Sequence, residues 1–398
     1  MDENGARKAD RASGSGSPET PGAPEEGLPP VPQVPEKDLP PVPRVPGVDL
    51  PPAPQVSIED LSPPPEAGTE NPPPAAEGRN PFSVGIDGDA ASGRAVSRAA
   101  AWVAPGVARV GVLFVNAYLV GEPGGPWALV DAGLPLSAAM VRRAAAERHG
   151  PESRPEAIIL THGHFDHAGS ALALAAGWDV PIYAHPLEMP YLTGRSDYPP
   201  QDPTMGGAIA QMARLFPHGG RDLGDRVREL PADGGVPGLE GWRWVHTPGH
   251  TPGHVSLFRG EDRVLVGGDA LATMNMDSWA SHLTRERELR RPPAPFTPDW
   301  EAARRSVGFL ADLEPSVVAA GHGLPMEGPR AAEGLRGLAG RFSAPRMGRY
   351  VGRPARFYEE GGVAELPPPV PDPLPRRVAL AAVVIAAGAA IALARRRG

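Results

Sequence analysis

Cysteine is absent from this chain of 398 residues. Its absence excludes disulfides, thiolate nucleophiles and sulfur-ligated zinc, so any metal must be held by imidazole and carboxylate. Lysine is nearly absent as well: among the 39 basic residues only Lys8 and Lys37 are lysines. A lysine Schiff base or a phosphate-loop lysine is therefore not expected in a folded region beyond them. Positive charge is not in excess either. A formal net charge of −8 gives no basic stripe for a phosphate backbone, and nucleic acid is not an expected partner. The first ten residues are charged and have no apolar core, so no signal peptide is visible.

Proline and glycine are plentiful, at 53 and 49 residues, and gather toward the N-terminus. The length would suit two average domains, but this skew favours one folded domain, expected over 95–345, after a disordered proline-rich region at 1–80. Within that region a Leu-Pro-Pro motif begins at Leu28, Leu39 and Leu50 and decays at Leu61, a period of 11 residues. Proline at this density cannot donate backbone hydrogen bonds and leaves few side chains to bury, so polyproline II is the expected conformation. The repeats read either as a docking site for an aromatic-grooved partner or as a semi-rigid spacer.

Regular structure is expected from about Trp102. Residues 110–120 read as a buried strand with 127–130 as its hairpin partner, and 136–149 as a helix. A short buried strand at 157–160, a helix at 168–176 and a strand at 180–184 follow. Further strands are expected at 242–245, 255–258, 264–266 and 316–320, with a helix at 299–313. Hairpins alternating with strand-helix-strand units predict mixed sheets with helices outside.

The chemistry falls at the ends of these strands. Directly after Ile158-Ile159-Leu160 stand His162, His164, Asp166 and His167, four ligand-type side chains within six residues. On an extended turn His162 and His164 point to one side and can chelate one ion, leaving Asp166 and His167 for another. Buried imidazoles each need a partner, so ordinary core histidines do not cluster this way. His250 lies in a Pro-Gly turn after a strand, Asp269 follows Gly267-Gly268, and His322 follows the strand ending at Ala320.

These residues resemble the metallo-β-lactamase-fold hydrolases, whose relatives include glyoxalase II and the acyl homoserine lactonases. The likeness spans about 100–330. It rests on His-x-His-x-Asp-His at 162–167, Thr-Pro-Gly-His-Thr-Pro-Gly-His at 247–254, Gly268-Asp269, Gly321-His322-Gly323 and Val130-Asp131-Ala132-Gly133. It implies an α/β fold, an αββα four-layer sandwich with two mixed β-sheets. It also implies two Zn2+, with iron or manganese as alternatives: His162, His164 and His250 on one ion, Asp166, His167 and His322 on the other, and Asp269 bridging both. Asp131 would brace a ligand from behind. Paired cations lower the pKa of bound water from about 15.7 toward about 7, giving a bridging hydroxide as nucleophile. Asp166 and Asp269 are then the candidate proton carriers.

The implied activity is hydrolysis of a small ester, thioester or lactone. Two alternatives stand beside it: a mononuclear iron enzyme like the sulfur dioxygenases, and a membrane-tethered scaffold with a non-catalytic metal site. Asp269 speaks against a true β-lactamase, since family members with that activity carry cysteine there or lack the bridge. His149 and His185 read as structural, the former as an imidazolium at a helix C-terminus. His246 and His254 read as neighbours of the site and not as ligands, while His218 and His282 have no ligand partners nearby in sequence. Residues 186–225, with Ile209, Met212, Leu215 and Phe216 on one helical face, read as a lid or pocket wall or as a packed helix. The 273–291 loop is expected to overhang the metals. After a linker at 346–375, residues 376–398 form a candidate C-terminal anchor. Its apolar run at 378–394 is bracketed by arginines and spans roughly 25 Å against a hydrocarbon core of about 30 Å.

Overall fold

The computed structural model describes residues 100–372 and 374. The proline repeats and the candidate anchor at 378–394 lie outside the described residues. Among the described residues no helix is long and apolar enough to cross a membrane.

Two large mixed sheets dominate. The first has seven strands in sequential order: β1 (Ala101–Ala104), β2 (Val107–Val112), β3 (Val115–Val120), β4 (Ala128–Val130), β5 (Ala157–Ile159), β6 (Ile182–Ala184) and β7 (Val227–Glu229). Strands β1 to β4 pair antiparallel through short connections, and β4 to β7 pair parallel. The parallel pairs need crossovers: α1 (Ala138–His149) and α2 (Ala171–Trp178) supply the first two, and the third carries the short helices α3 (Met189–Leu192) and α4 (Gly207–Ala213). The second sheet runs β13-β12-β11-β10-β9-β8. Its strands are β8 (Gly235–Val236), β9 (Leu239–His246), β10 (Val255–Arg259), β11 (Val264–Gly268), β12 (Val317–Ala320) and β13 (Met326–Glu327). Strands β11 and β12 are parallel. Between them come α5 (Trp279–Thr284) and α6 (Trp300–Asp312), and α7 (Pro329–Gly340) follows β13. Asp299 starts α6, its carboxylate accepting the Ala302 N–H at 2.9 Å, an N-cap contributing about 1 kcal/mol.

Alternation along each strand sends side chains to two cores. Leu119, Leu129, Ile158 and Ile182 pack against Val141, Ala144 and Leu174 of α1 and α2. Their neighbours Tyr118, Val130 and Ile159 face Trp244, Val255, Leu257 and Val266 of the other sheet. Val245, Leu265 and Val318 meet Val307, Leu310 and Leu335 of α6 and α7. The layers thus run helix, sheet, sheet, helix. Each fully buried large side chain contributes roughly 1.5–3 kcal/mol.

Three expectations change. Residues 110–120 are two arms of a hairpin and not one strand: the chain turns at Leu113-Phe114, with Leu113 at φ 56. No glycine, asparagine or proline marks that turn, so the apolar run hid it. The helical face expected to join Ile209, Met212, Leu215 and Phe216 is cut short, since α4 (Gly207–Ala213) ends before the last two and Leu215 is 84% exposed. Of the linker expected at 346–375, residues 346–372 pack as a strap: Tyr350 is buried with Trp300 and Ala355, and its hydroxyl donates to Pro200 O at 2.6 Å. The strap ends in an Arg214–Asp372 ion pair at 2.8 Å and contains a small hairpin, β14 (Arg356–Phe357) and β15 (Val363–Glu365). Proline and glycine density signals irregular backbone, and irregular backbone can still pack.

Candidate metal centre

Four strands deliver the ligand-type residues to one edge. The register of β11 and β12 sets Gly268 beside Ala320, so Asp269 and His322 leave neighbouring strand ends. Strand β10 is antiparallel to β11, which brings the 247–254 turn to that same end. The sheets meet there through backbone bonds: Val255 N–H to Thr161 O at 2.9 Å and Asn116 N–H to Gly321 O at 2.8 Å. All seven residues expected from the sequence converge. His162, His164 and His250 form one compact set, Asp166, His167 and His322 another, and Asp269 joins His162 and His167 in a third.

Asp269 stands between the sets. Its Oδ2 lies 3.5 Å from His250 Nε2 and 3.2 Å from His322 Nε2, and its Oδ1 lies 3.5 Å from His167 Nε2. Asp166 Oδ2 is 3.6 Å from His322 Nε2. Gly321 makes the approach feasible, because a Cβ there would collide with Asp269 Oδ1 and with the His167 ring.

The ligands are braced from behind. Asp131, at φ 60, accepts the Thr161 N–H at 2.8 Å and lies 2.8 Å from His167 Nδ1, so His167 Nε2 faces the centre. His322 Nδ1 donates to Phe114 O at 2.8 Å. His254 Nε2 accepts the Asp269 N–H at 2.9 Å and is a brace, as its position beside the His250 turn suggested. One brace escaped the sequence reading. Glu188, fully buried, accepts from Gly163 N–H at 3.0 Å, Gly253 N–H at 2.9 Å, Thr251 Oγ1 at 2.7 Å and the Tyr198 hydroxyl. It ties the loop of His162 and His164 to the loop of His250. The only signal was an acid inside the apolar stretch Leu187-Glu188-Met189, and buried acids require partners.

The other histidines stay outside. His246 stacks on His185 at 4.3 Å and lies 2.8 Å from Pro252 O. His149 stacks on Trp127 at 4.4 Å, and burial lowers its pKa to about 4, so the helix-end imidazolium expected from the sequence is a neutral ring. His218, which had no ligand partner nearby in sequence, lines the metal pocket.

The electrostatics suit cations. Burial drives the pKa values of His162 and His250 well below normal and that of His164 to about 3, leaving neutral imidazoles. For His167 and His322 burial also pulls downward, but Asp269 beside both raises them on balance. Three buried carboxylates, Asp131, Asp166 and Asp269, thus demand positive charge. His162 Nε2, His167 Nε2 and Asp269 Oδ1 are buried without a hydrogen-bond partner. Orphaned donor atoms of this kind converging on one point fit metal ions. Chelation is expected to lower Tm by roughly 10 °C, from about 4 kcal/mol of linkage at a thousandfold saturation and about 2–4 °C per kcal/mol. Scanning calorimetry with and without chelator checks this, and an unchanged Tm would count against a resident metal.

Over the centre lies a narrow pocket. Its walls include Asp166, Asp269 and His322 below and Phe114, Phe216 and Phe296 above. Phe216 is the hub, with ring centroids 5.8 Å from Phe114, 5.2 Å from Phe165 and 6.2 Å from Phe296. Ile209 of α4 and Met276 of the 273–291 loop close the sides, so both segments are pocket walls.

Residues 110–322 match the model of the metallo-beta-lactamase superfamily. The chain is 46% identical over 244 residues to the probable metallo-hydrolase YflN of Bacillus subtilis, covering 61% of this chain and 92% of that one. It is 29% identical over 116 residues to the hydroxyacylglutathione hydrolase GloC of Haemophilus influenzae, covering 29% of this chain and 49% of the relative. Among solved structures, TTHA1623 in a di-iron-bound form is similar at 28% identity and a TM-score of 0.40, covering 62% of this chain and 100% of that one. This chain belongs to the metallo-β-lactamase superfamily and is a metal-dependent hydrolase.

Proposed function

We propose that the chain is a dinuclear hydrolase of small esters, thioesters or lactones, with two zinc ions as its expected occupants. The observation that carries this reading is the position of Asp269, whose carboxylate lies within 3.5 Å of ring nitrogens of His167, His250 and His322. His162, His164 and His250 would hold one ion, and Asp166, His167 and His322 the other. Bound metal supplies Lewis acidity and a water of lowered pKa. Asp166 Oδ2, in the pocket wall, is placed to hand a proton to the leaving oxygen or sulfur. The phenylalanines exclude water and grip an apolar acyl group. The hydroxyacylglutathione hydrolase relative supports a thioester among the candidates.

Purified protein assayed with thioester, lactone and phosphodiester panels tests the class. Hydrolysis of at least one carboxylic ester or thioester is expected. Activity confined to phosphodiesters, or oxygen consumption in place of hydrolysis, would overturn it. Phe216→Ala is expected to raise KM roughly tenfold for long acyl chains and little for acetyl, because the pocket loses its central aromatic wall. Steady-state kinetics across a chain-length series reads this, and a penalty independent of chain length would contradict it.

A further inference from the structure

A second hollow lies beside the metal pocket, and Phe114 lines both. Arg109 of β2, Met274, His282 and Arg285 contribute to its wall. Arg109 is half-buried, and its Nη1 donates at 3.0 Å to Asn116 Oδ1, a neutral acceptor. Asn116 is fixed in turn, its Nδ2 donating to Ala320 O at 2.9 Å and Gly323 O at 2.7 Å, on either side of His322. The guanidinium is therefore held in place and not neutralised.

A second guanidinium, the exposed Arg285, lines the same hollow, and the exposed Arg287 follows two residues on. Burial lowers the pKa of Arg109, Tyr118 opposes that, and Arg285 and Arg287 lower it further. Arg109 and Arg285 thus bring two guanidinium groups to the wall of the hollow. Among the described residues, none of Arg109, Arg285 and Arg287 forms an ion pair. The acids of the same stretch do not serve them, since Glu288 pairs with Arg290 at 2.8 Å and Glu286 reaches none of the three. Arg285 is fixed at φ 53 as the C-cap of α5, its N–H on Ser281 O at 2.9 Å. A residue held in that region persists only where its surroundings over-determine it.

We propose that Arg109 and Arg285, which line the hollow, form a subsite for an anionic tail, a phosphate monoester or a carboxylate, on the substrate whose acyl bond lies at the metals, with Arg287 adding positive charge at its edge. This rests on the hydrolase reading and narrows it: the natural substrate joins a small apolar acyl group to a leaving group ending in negative charge. Arginine forks suit both anions, in two-point contacts stronger than neutral hydrogen bonds.

The test is equilibrium binding and needs no turnover. The metal-loaded protein is titrated calorimetrically with three non-hydrolysable thioethers alike except for a terminal phosphate, carboxylate or hydroxyl. At least one anionic tail should bind about tenfold or more tighter than the hydroxyl. The tighter of the two identifies the source, and 0.5 M salt should erode the preference. The double variant Arg285→Ala, Arg287→Ala should lose the preference while Asn116 and the His322 loop keep their anchor on Arg109. Equal binding of all three tails, or a preference surviving in the double variant, would overturn the subsite. Failure of the hydrolase reading would register separately, as wild-type protein turning over no ester in the panel.

Discussion

Asp269→Ala is expected to reduce bound metal from two ions per chain toward one and to cut turnover by at least a hundredfold. The carboxylate lies between the two imidazole sets, 3.5 Å from His250 Nε2 on one side and 3.2 Å from His322 Nε2 on the other. On the dinuclear reading, removing it would take an oxygen donor from each set and withdraw the negative charge between the two cations. Their repulsion then expels the weaker-held ion, expected at Asp166, His167 and His322, because His162, His164 and His250 remain a three-imidazole site. Loss of the second Lewis acid accounts for the rate. Metal analysis and single-substrate kinetics read both effects. A variant with two tightly held ions and near-normal turnover would show that Asp269 does not join the sets.

Glu188→Ala should be the most destabilising single change near the site that touches no metal ligand. Its removal strands one backbone donor, Gly253 N–H, and two hydroxyls, Thr251 and Tyr198, in a buried space, and leaves Gly163 N–H with only the Tyr198 hydroxyl oxygen at 3.0 Å. Each orphaned group costs about 1–3 kcal/mol before water enters, against a total stability of about 5–15 kcal/mol. A Tm loss of about 10 °C or more is expected, or failure to fold. Glu188→Gln, which keeps the volume and one acceptor oxygen, should fold but hold metal more weakly at His162, His164 and His250. That intermediate loss separates positioning of the loops from bulk packing. Wild-type Tm and full metal content in the alanine variant would refute the bracing role.

The centre was unusually legible in the sequence because its chemistry is concentrated. Four ligand-type residues fall within six positions after a strand, and His250, Asp269 and His322 each follow a strand end, so the pattern survives errors in strand boundaries. What supports the centre was less visible. Glu188 acts across 25 positions on Gly163 and 65 on Gly253, and only the fold brings those together. The turn at Leu113-Phe114 was hidden because its strained residue is a leucine and the run around it is apolar. That turn carries Phe114, which walls both the metal pocket and the arginine hollow. The 346–372 strap was masked by composition, since its packing depends on a few residues such as Tyr350 and on a distant ion pair at Asp372.

The central claim, a centre in which two ions act together, is tested most directly by restoring metal to the chelated protein in known equivalents while following hydrolysis of its best ester or thioester substrate. Activity should climb to a plateau at two equivalents per chain, with little of it present at one. A plateau reached at a single equivalent, or hydrolysis that persists without added metal, would contradict the account.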